Sequence, residues 1–267
     1  MHIVICVKQV PNPEIPPGKF RIDSAAKCAA PPEGIPPVIN PFDEQAVEVA
    51  LRIKEQQPDT KITVISMGPA SVKDVVKHGL AMGADEGVIL EDKAFDGSDG
   101  FGTAHILTKA IEKIGQYDLI LCGRQAADWD VGQVGSLIAE NLDLPIVTRA
   151  QKIECSGNKL AVEHVIMDGY EVVEIPMPAL ITVSNEVGQP RLPTGMGIIK
   201  ANRAKVPTWT AQDIGADVSK IGPNAARIEI LDIFVPTRDG KCEILEGESV
   251  AEAIDKLAMR LREEKII

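Results

Sequence analysis

The sequence predicts an α/β protein with a doubly wound, mostly parallel sheet, and three observations carry that prediction. Over the first 150 residues, short β-rich apolar runs alternate with stretches of helical period, as strands joined by crossover helices do. The strand runs are almost wholly apolar, which suits strands covered on both faces. After Thr148 the period shortens to two and Gly-containing turns appear, marking a β-hairpin or meander appended to the sheet.

In chain order, the strands of the core fall at residues 3–7, 62–67, 87–90, 118–122 and 146–148. A helix over 42–55 places Val47 and Leu51 on one face, and Asn40 and Pro41 are suited to its cap and first position. A second helix opens at Ser71, with Asp74 at the third position of a capping box. Two more fit 101–114 and 131–142. The segment from 10 to 40 differs, because Pro11, Pro13, Pro16, Pro17, Pro31, Pro32, Pro36 and Pro37 exclude both a helix and a central strand. It reads as a long excursion from the carboxyl end of the first strand, where open α/β sheets bind ligands, or as a plain surface loop.

Alternating strands follow at 152–155, 159–166 and 170–175, and a further strand at 179–184 closes the hairpin region. A Gly/Pro-rich basic stretch over 186–207 leads to an irregular arm with a short strand at 228–234. Ser249 and Glu252 then open a terminal helix with Ile254, Leu257 and Leu261 on one face. The chain is thus expected to form one domain over 1–207, with a hairpin at 150–184, and an arm ending in a helix over 208–267.

At 267 residues and 45% apolar composition the chain can bury a sizeable core. It has no uncharged apolar run of about 18 residues, and MHIVICVKQV enters a strand without a basic leader, so a cytoplasmic location is expected. Cys6, Cys28, Cys122, Cys155 and Cys242 form no C-x-x-C pair. The net charge of −11 argues against nucleic acid and anionic membranes as partners. His2, His78, His105 and His164 lie apart, with no nucleophile turn nearby, and are expected to be structural.

The richest segment runs from Cys122 to Gly135, from a buried strand through a polar turn into a helix. With strand order 3-2-1-4-5, the exits of strands one and four diverge and this turn forms one wall of a crevice. Main-chain N–H groups at Val131 to Val134 would then face a phosphate at the positive end of the helix. Gly123, Gly132 and Gly135 allow the backbone to approach closely, and Gly68 would let the chain pass a purine ring. Asp128 and Asp130 either cap the helix or bind a ligand's hydroxyls; Arg124 either meets phosphate, holds a carboxylate of the opposite wall, or is solvated. Neither G-x-x-x-x-G-K-[ST] nor a G-x-G-x-x-G after the first strand is present.

Six segments in order resemble the β subunit of the electron transfer flavoproteins over nearly the whole chain. They are Val7-Lys8-Gln9-Val10-Pro11, Asn40-Pro41-Phe42-Asp43-Glu44, Met67-Gly68-Pro69, Leu80-Ala81-Met82-Gly83-Ala84-Asp85, Gly123-Arg124-Gln125 with Asp128, Asp130 and Gln133, and Asp168-Gly169-Tyr170-Glu171 through Pro178-Ala179-Leu180. The resemblance implies an adenine nucleotide alpha hydrolase-like fold and a heterodimer with a larger α subunit, which the terminal arm contacts. It implies an electron carrier that serves acyl-CoA dehydrogenases or other flavin-dependent dehydrogenases. The β-subunit nucleotide is AMP in simple carriers and FAD in bifurcating members, which draw on NADH; the second FAD lies mainly on the α subunit. The excursion ending at Asn40 favours FAD.

Carried over by position, the nucleotide contacts are Cys6, Val7, Asn40, Pro41, Phe42, Asp43, Met67, Gly68, Gly123, Arg124, Gln125, Ala126, Ala127, Asp128, Asp130, Val131, Gly132, Gln133 and Val134. The resemblance also places a partner-docking loop over 186–200, at Pro193, Thr194, Gly195, Met196, Gly197 and Ile198. The family usually presents a leucine there, and Met196 stands beside Gly195 instead. The alternatives from the residues alone are a free-standing adenine-nucleotide-binding regulatory module and an adenylyl-transferring enzyme.

Overall fold

A computed structural model describes residues 1–25, 27–30, 32, 34–236, 240 and 242–267; Pro31 of the proline-rich excursion lies outside them. The principal sheet has nine strands: β1 (His2–Cys6), β2 (Lys61–Met67), β3 (Glu86–Leu90), β4 (Leu119–Gly123), β5 (Ile146–Ser156), β6 (Lys159–Ile166), β7 (Gly169–Pro176), β8 (Ala179–Val183) and β9 (Thr208–Trp209). Their order is β7-β6-β5-β8-β4-β1-β2-β3-β9. From β5 to β9 every neighbouring pair is parallel. On the other side β6 runs antiparallel to both β5 and β7.

The expected order 3-2-1-4-5 holds for its first four strands and fails at the fifth. The run at 146–148 is the start of the long strand β5, and β8 stands between it and β4. Burial explains the insertion. All five residues of β8 are buried, which only a central position covered on both faces allows. β5 alternates partly buried and exposed residues along its second half and tolerates a half-exposed place.

Helices cover both faces. On one, α1 (Pro41–Gln56) and α2 (Lys73–Met82) pack Ala46, Val47, Val76 and Leu80 against Ile3, Ile5, Ile62, Val64 and Leu121. On the other, α3 (Gly100–Ile114) and α4 (Val134–Asn141) pack Ile106, Ile111 and Ile138 against Val4, Ile65, Val88 and Ile120. Adjacent residues of a strand therefore feed opposite cores, as the strand period requires. Asp99 starts α3 by accepting from the N–H groups of Phe101 and Gly102. α1 starts with Pro41 at its first position and Asp43 and Glu44 in its first turn.

Four local expectations change. Ser71 does not cap α2: a 3-10 turn over Ala70–Val72 precedes the helix, and the Ser71 hydroxyl donates to Gln9 Oε1 at 2.7 Å. α4 begins at Val134, not 131, because Asp130 (φ 53°) and Gly132 (φ 66°) are left-handed and cannot continue a helix. The stretch 228–234 finds no ladder partner and is irregular. The excursion carries two small antiparallel ladders outside the main sheet, Gln9–Val10 with Val38–Ile39 and Arg21–Asp23 with Cys28–Ala30.

The first compact unit is Met1–Asp232, since β9 and the buried Ala211, Ile214 and Ile221 tie the segment after 207 to the second core. The second unit, Ile233–Ile267, contains α6 (Val250–Glu263). Ser249 accepts from the Glu252 N–H as its sequence pattern predicts, and α6 has no buried residue. Among the described residues no helix is long and apolar enough to cross a membrane.

A fifth helix, α5 (Gly195–Arg203), crosses α2 so closely that a Cβ on Gly197 would overlap the carbonyl oxygen of Ala81, whereas Gly195 faces open space. Gly197→Ala is expected to destabilise the chain by about 1–3 kcal/mol through overpacking, and Gly195→Ala to leave it unchanged. Urea midpoints of the two variants check the difference.

Candidate nucleotide-binding site

α1 leaves β1 toward one face of the sheet and α4 leaves β4 toward the other, although β1 and β4 are paired neighbours with Cys6 opposite Cys122. This is a topological switch point, where open sheets leave a crevice at their carboxyl edge. Three predicted segments meet there: 6–7, 40–43 and 123–134.

Two side chains hold them together. Asp43 is buried; its Oδ2 accepts from the Lys8 N–H at 2.7 Å and its Oδ1 from the Gly123 N–H at 3.0 Å. Burial pushes its carboxyl up to about 7, against the pull of the N–H groups of Lys8 and Gly123. Asn40 occupies the cap position of α1, but its side chain makes no cap bond. Its Nδ2 donates to the Gln125 carbonyl at 2.8 Å, and its Oδ1 accepts from the Ala127 N–H at 3.0 Å. The freedom of Gly123 serves the protein here: a Cβ would overlap Asp43 Oδ1 and lie 2.7 Å from Phe42 Cβ. Gly68 likewise yields space to Val72 at the turn after β2, while Met67 ends that strand half-buried. Val7, buried, donates its N–H to the Ile65 carbonyl.

Beyond Gly123 the loop is a polar turn. Lys8 Nζ pairs with Asp128 at 2.6 Å, joining the exit of β1 to the loop. Gln125 Nε2 donates to Asp130 Oδ1 at 2.8 Å, and the Asp130 N–H bonds the Ala126 carbonyl. Neither aspartate caps α4, against the first of the two sequence readings. The cap position belongs to Gln133, which makes no side-chain cap bond and lies against Gly100 at the start of α3. Gly135 seats α4 on β8, for a Cβ there would lie 2.8 Å from Thr182 Cγ2. Among the described residues the N–H groups of Val131, Gly132 and Gln133 have no bonded acceptor. They lead directly into the first turn of α4, whose own N–H groups have no intrahelical partner. Such an array binds anions.

Arg124 is part-buried over the Phe42 ring, 5.0 Å from its centroid, so it does touch the opposite wall, through an aromatic face rather than a carboxylate. Beside it, at the carboxyl ends of β4 and β8 and near the start of β5, lies a cavity of about 370 Å³ lined by Arg124, Gln125, Gly132, Thr148, Arg149 and Thr182.

The docking segment is not a loop throughout. Thr194 caps α5 by accepting from the Gly197 N–H, so Gly195, Met196, Gly197 and Ile198 form a first helical turn after Pro193. Met196 is 76% exposed, and Leu192, just outside the predicted segment, is 85% exposed. The preceding residues are anchored: Arg191 bonds the buried Glu48 at 2.7 Å, and Arg52 joins Glu48 at 2.8 Å and the Val187 carbonyl at 2.9 Å. Burial acts to raise the Glu48 carboxyl, but the bonds from Arg191 and Arg52 outweigh it and hold it below its usual range.

Residues 33–214 match the electron transfer flavoprotein domain. The chain belongs to the electron transfer flavoprotein family. It is 42% identical to an electron transfer flavoprotein subunit beta of Thermoanaerobacterium thermosaccharolyticum over the whole of both chains. It is 38% identical to the caffeyl-CoA reductase-Etf complex subunit CarD of Acetobacterium woodii, again over the whole of both chains. An electron transfer flavoprotein subunit beta of Megasphaera elsdenii is 38% identical with the same full coverage. The chain is thus a β-type electron-transfer subunit of a flavin-associated family.

Sequence reasoning about this electron transfer flavoprotein subunit passed over Lys8, Arg149 and Leu192. Lys8 stands in a quoted motif, and its reach to Asp128 spans 120 residues. Leu192 sits one residue from the predicted segment. Arg149 follows a short apolar run and carries no local signal.

The Asp43 carboxyl holds a proton more strongly in the folded chain, at about 7, than at the ordinary value of 3.8. The folded state therefore binds more protons between those values, and stability falls as pH rises through that window. Raising the pH from 5 to 8 is expected to lower the urea midpoint of the parent, and Asp43→Asn to remove that part of the slope. An unchanged slope in the variant would place the effect elsewhere.

Proposed function

We propose that the chain is the nucleotide-holding half of a heterodimer that relays electrons between a flavin-dependent dehydrogenase and further redox partners, with FAD on this subunit and NADH as donor in a bifurcating complex. The observation that carries the reading is the run of unbonded N–H groups at Val131, Gly132 and Gln133 leading into α4 beside Arg124. These groups fit a phosphorylated nucleotide, and the Lys8–Asp128 pair and the Asn40 bonds hold the loop that presents them. The full-length similarity to a subunit of a caffeyl-CoA reductase-Etf complex supports a CoA-ester reductase as partner.

When bound, the flavin supplies the capacity to accept and release electrons; the protein binds its phosphates, orients it and excludes water. The larger α subunit is proposed to carry the second FAD and to receive the arm with α6. The exposed Leu192 and Met196 on the anchored stretch before and within α5 form the proposed contact for the dehydrogenase.

Counting flavin and AMP released from the purified heterodimer decides the cofactor. Two flavins per heterodimer are expected, and one flavin with one AMP would refute FAD on this subunit. Asp128→Ala, which unties the loop from the β1 exit, is expected to weaken nucleotide retention by about 1–3 kcal/mol with the fold intact. Nucleotide content equal to the parent's would remove the loop from the binding site.

A further inference from the structure

We infer that the cavity at the carboxyl ends of β4 and β8, beside the start of β5, is a built anion site for the phosphate or pyrophosphate group of a nucleotide, with Arg149 as its second guanidinium. The inference deepens the proposed nucleotide role of the 123–134 loop and rests on that reading only for the source of the phosphate.

The first ground is positive charge without a direct ion-pair partner. The chain has 39 acidic residues against 28 lysines and arginines, yet neither arginine of this cavity is in an ion pair among the described residues. Arg124 bonds only neutral acceptors at long range: Gln125 Oε1 at 3.3 Å, Ser184 Oγ at 3.3 Å and Asn185 Oδ1 at 3.2 Å. A charged oxygen would make shorter and stronger bonds than these. The Arg149 side chain has no bonded partner among the described residues. The nearby Glu186 accepts the Ser184 hydroxyl, and this bond, then the fields of Arg124 and Arg149, holds its carboxyl below the usual range. The Glu186 carboxylate therefore balances part of their charge through space but bonds neither guanidinium, and both line a cavity of about 370 Å³.

The second ground is how Arg149 is held. Its backbone is left-handed (φ 52°), a conformation that non-glycine residues rarely adopt. It sits where the β8–β5 register shifts between Ile181 and Val183, an irregularity of the kind that re-aims a side chain. Its N–H donates to Thr182 Oγ1 at 2.9 Å, fixing the unusual turn. Thr182 is buried, and its own hydroxyl hydrogen has no acceptor among the described residues.

The third ground is the chemistry of the lining. Two guanidinium groups, a hydroxyl and the unbonded Gly132 N–H all offer hydrogens. Such a donor set calls for a ligand with several acceptor oxygens around one centre, and a phosphoryl group meets it better than a single carboxylate. The phosphate can come from the nucleotide held by the loop or from a second, exchangeable nucleotide.

The test titrates inorganic pyrophosphate calorimetrically into the heterodimer, both as isolated and after nucleotide removal. Arg149→Gly deletes the guanidinium and suits the left-handed backbone, so the variant is expected to keep the parent's urea midpoint. Its pyrophosphate affinity is expected to fall about tenfold or more, and Arg149→Lys to recover part of the loss. Arg149-dependent binding to the complex as isolated assigns the site to a second nucleotide. Such binding only after stripping assigns it to the resident one. Equal affinities of parent and Arg149→Gly in both preparations, or no binding to either, would overturn the inference. A heterodimer that retains no nucleotide yet binds pyrophosphate through Arg149 would refute the proposed function and leave this site standing.

Discussion

One buried carboxylate organises the centre of this protein. β1 and β4 run parallel as neighbours, but the chain leaves them toward opposite faces of the sheet, so their exits tend to part. Asp43, on the first turn of α1, bonds the N–H of Lys8 after β1 and of Gly123 at the end of β4. It thereby joins the two exits across the crevice. Two buried N–H groups that the sheet no longer pairs are satisfied by one side chain, which an isolated buried donor could not be without cost. Burial in turn raises the carboxyl's affinity for a proton, so the clasp carries a pH dependence that an exposed aspartate would lack.

From that clasp the loop 124–133 is assembled without regular structure. Asn40 bonds it from below at two main-chain groups, and Lys8 holds Asp128 from the side. Left-handed backbone at Asp130 and Gly132 delays the start of α4 until Val134. Those same dihedrals leave consecutive N–H groups unbonded. The side chains that looked like ligand contacts in the sequence are largely spent on shaping the loop, and it is the main chain whose donors stay open. The acidic surface adds selectivity: a phosphate is repelled by the chain at large and attracted where Arg124 and Arg149 stand without ion-pair partners.

The docking region follows a similar logic. Glu48, buried in α1, is held ionised by Arg191 and Arg52, so the stretch carrying Leu192 is anchored to the same helix that carries Asp43. Gly197 then lets α5 rest directly on the backbone of α2. The presented apolar side chains are therefore exposed on a rigid base.

The amino-acid sequence by itself determined the strands of the parallel core, the helices between them, the capping of α6 and the edge of the sheet at which the segments 6–7, 40–43 and 123–134 gather. These follow from hydrophobic period, cap residues and prolines, whose effects act within a few residues. It also carried enough ordered motifs to identify the family. Tertiary structure decided where β8 inserts, since that depends on which strand can be buried on both faces, and it decided that 228–234 is left without a ladder. It assigned Asp128 to Lys8 and Asn40 to Gln125 and Ala127 rather than to helix caps. It also brought Arg149 beside Arg124 across 24 intervening positions of chain. Local pattern cannot encode such pairings, because burial and hydrogen-bond satisfaction are settled only when distant segments compete for the same donors and the same space.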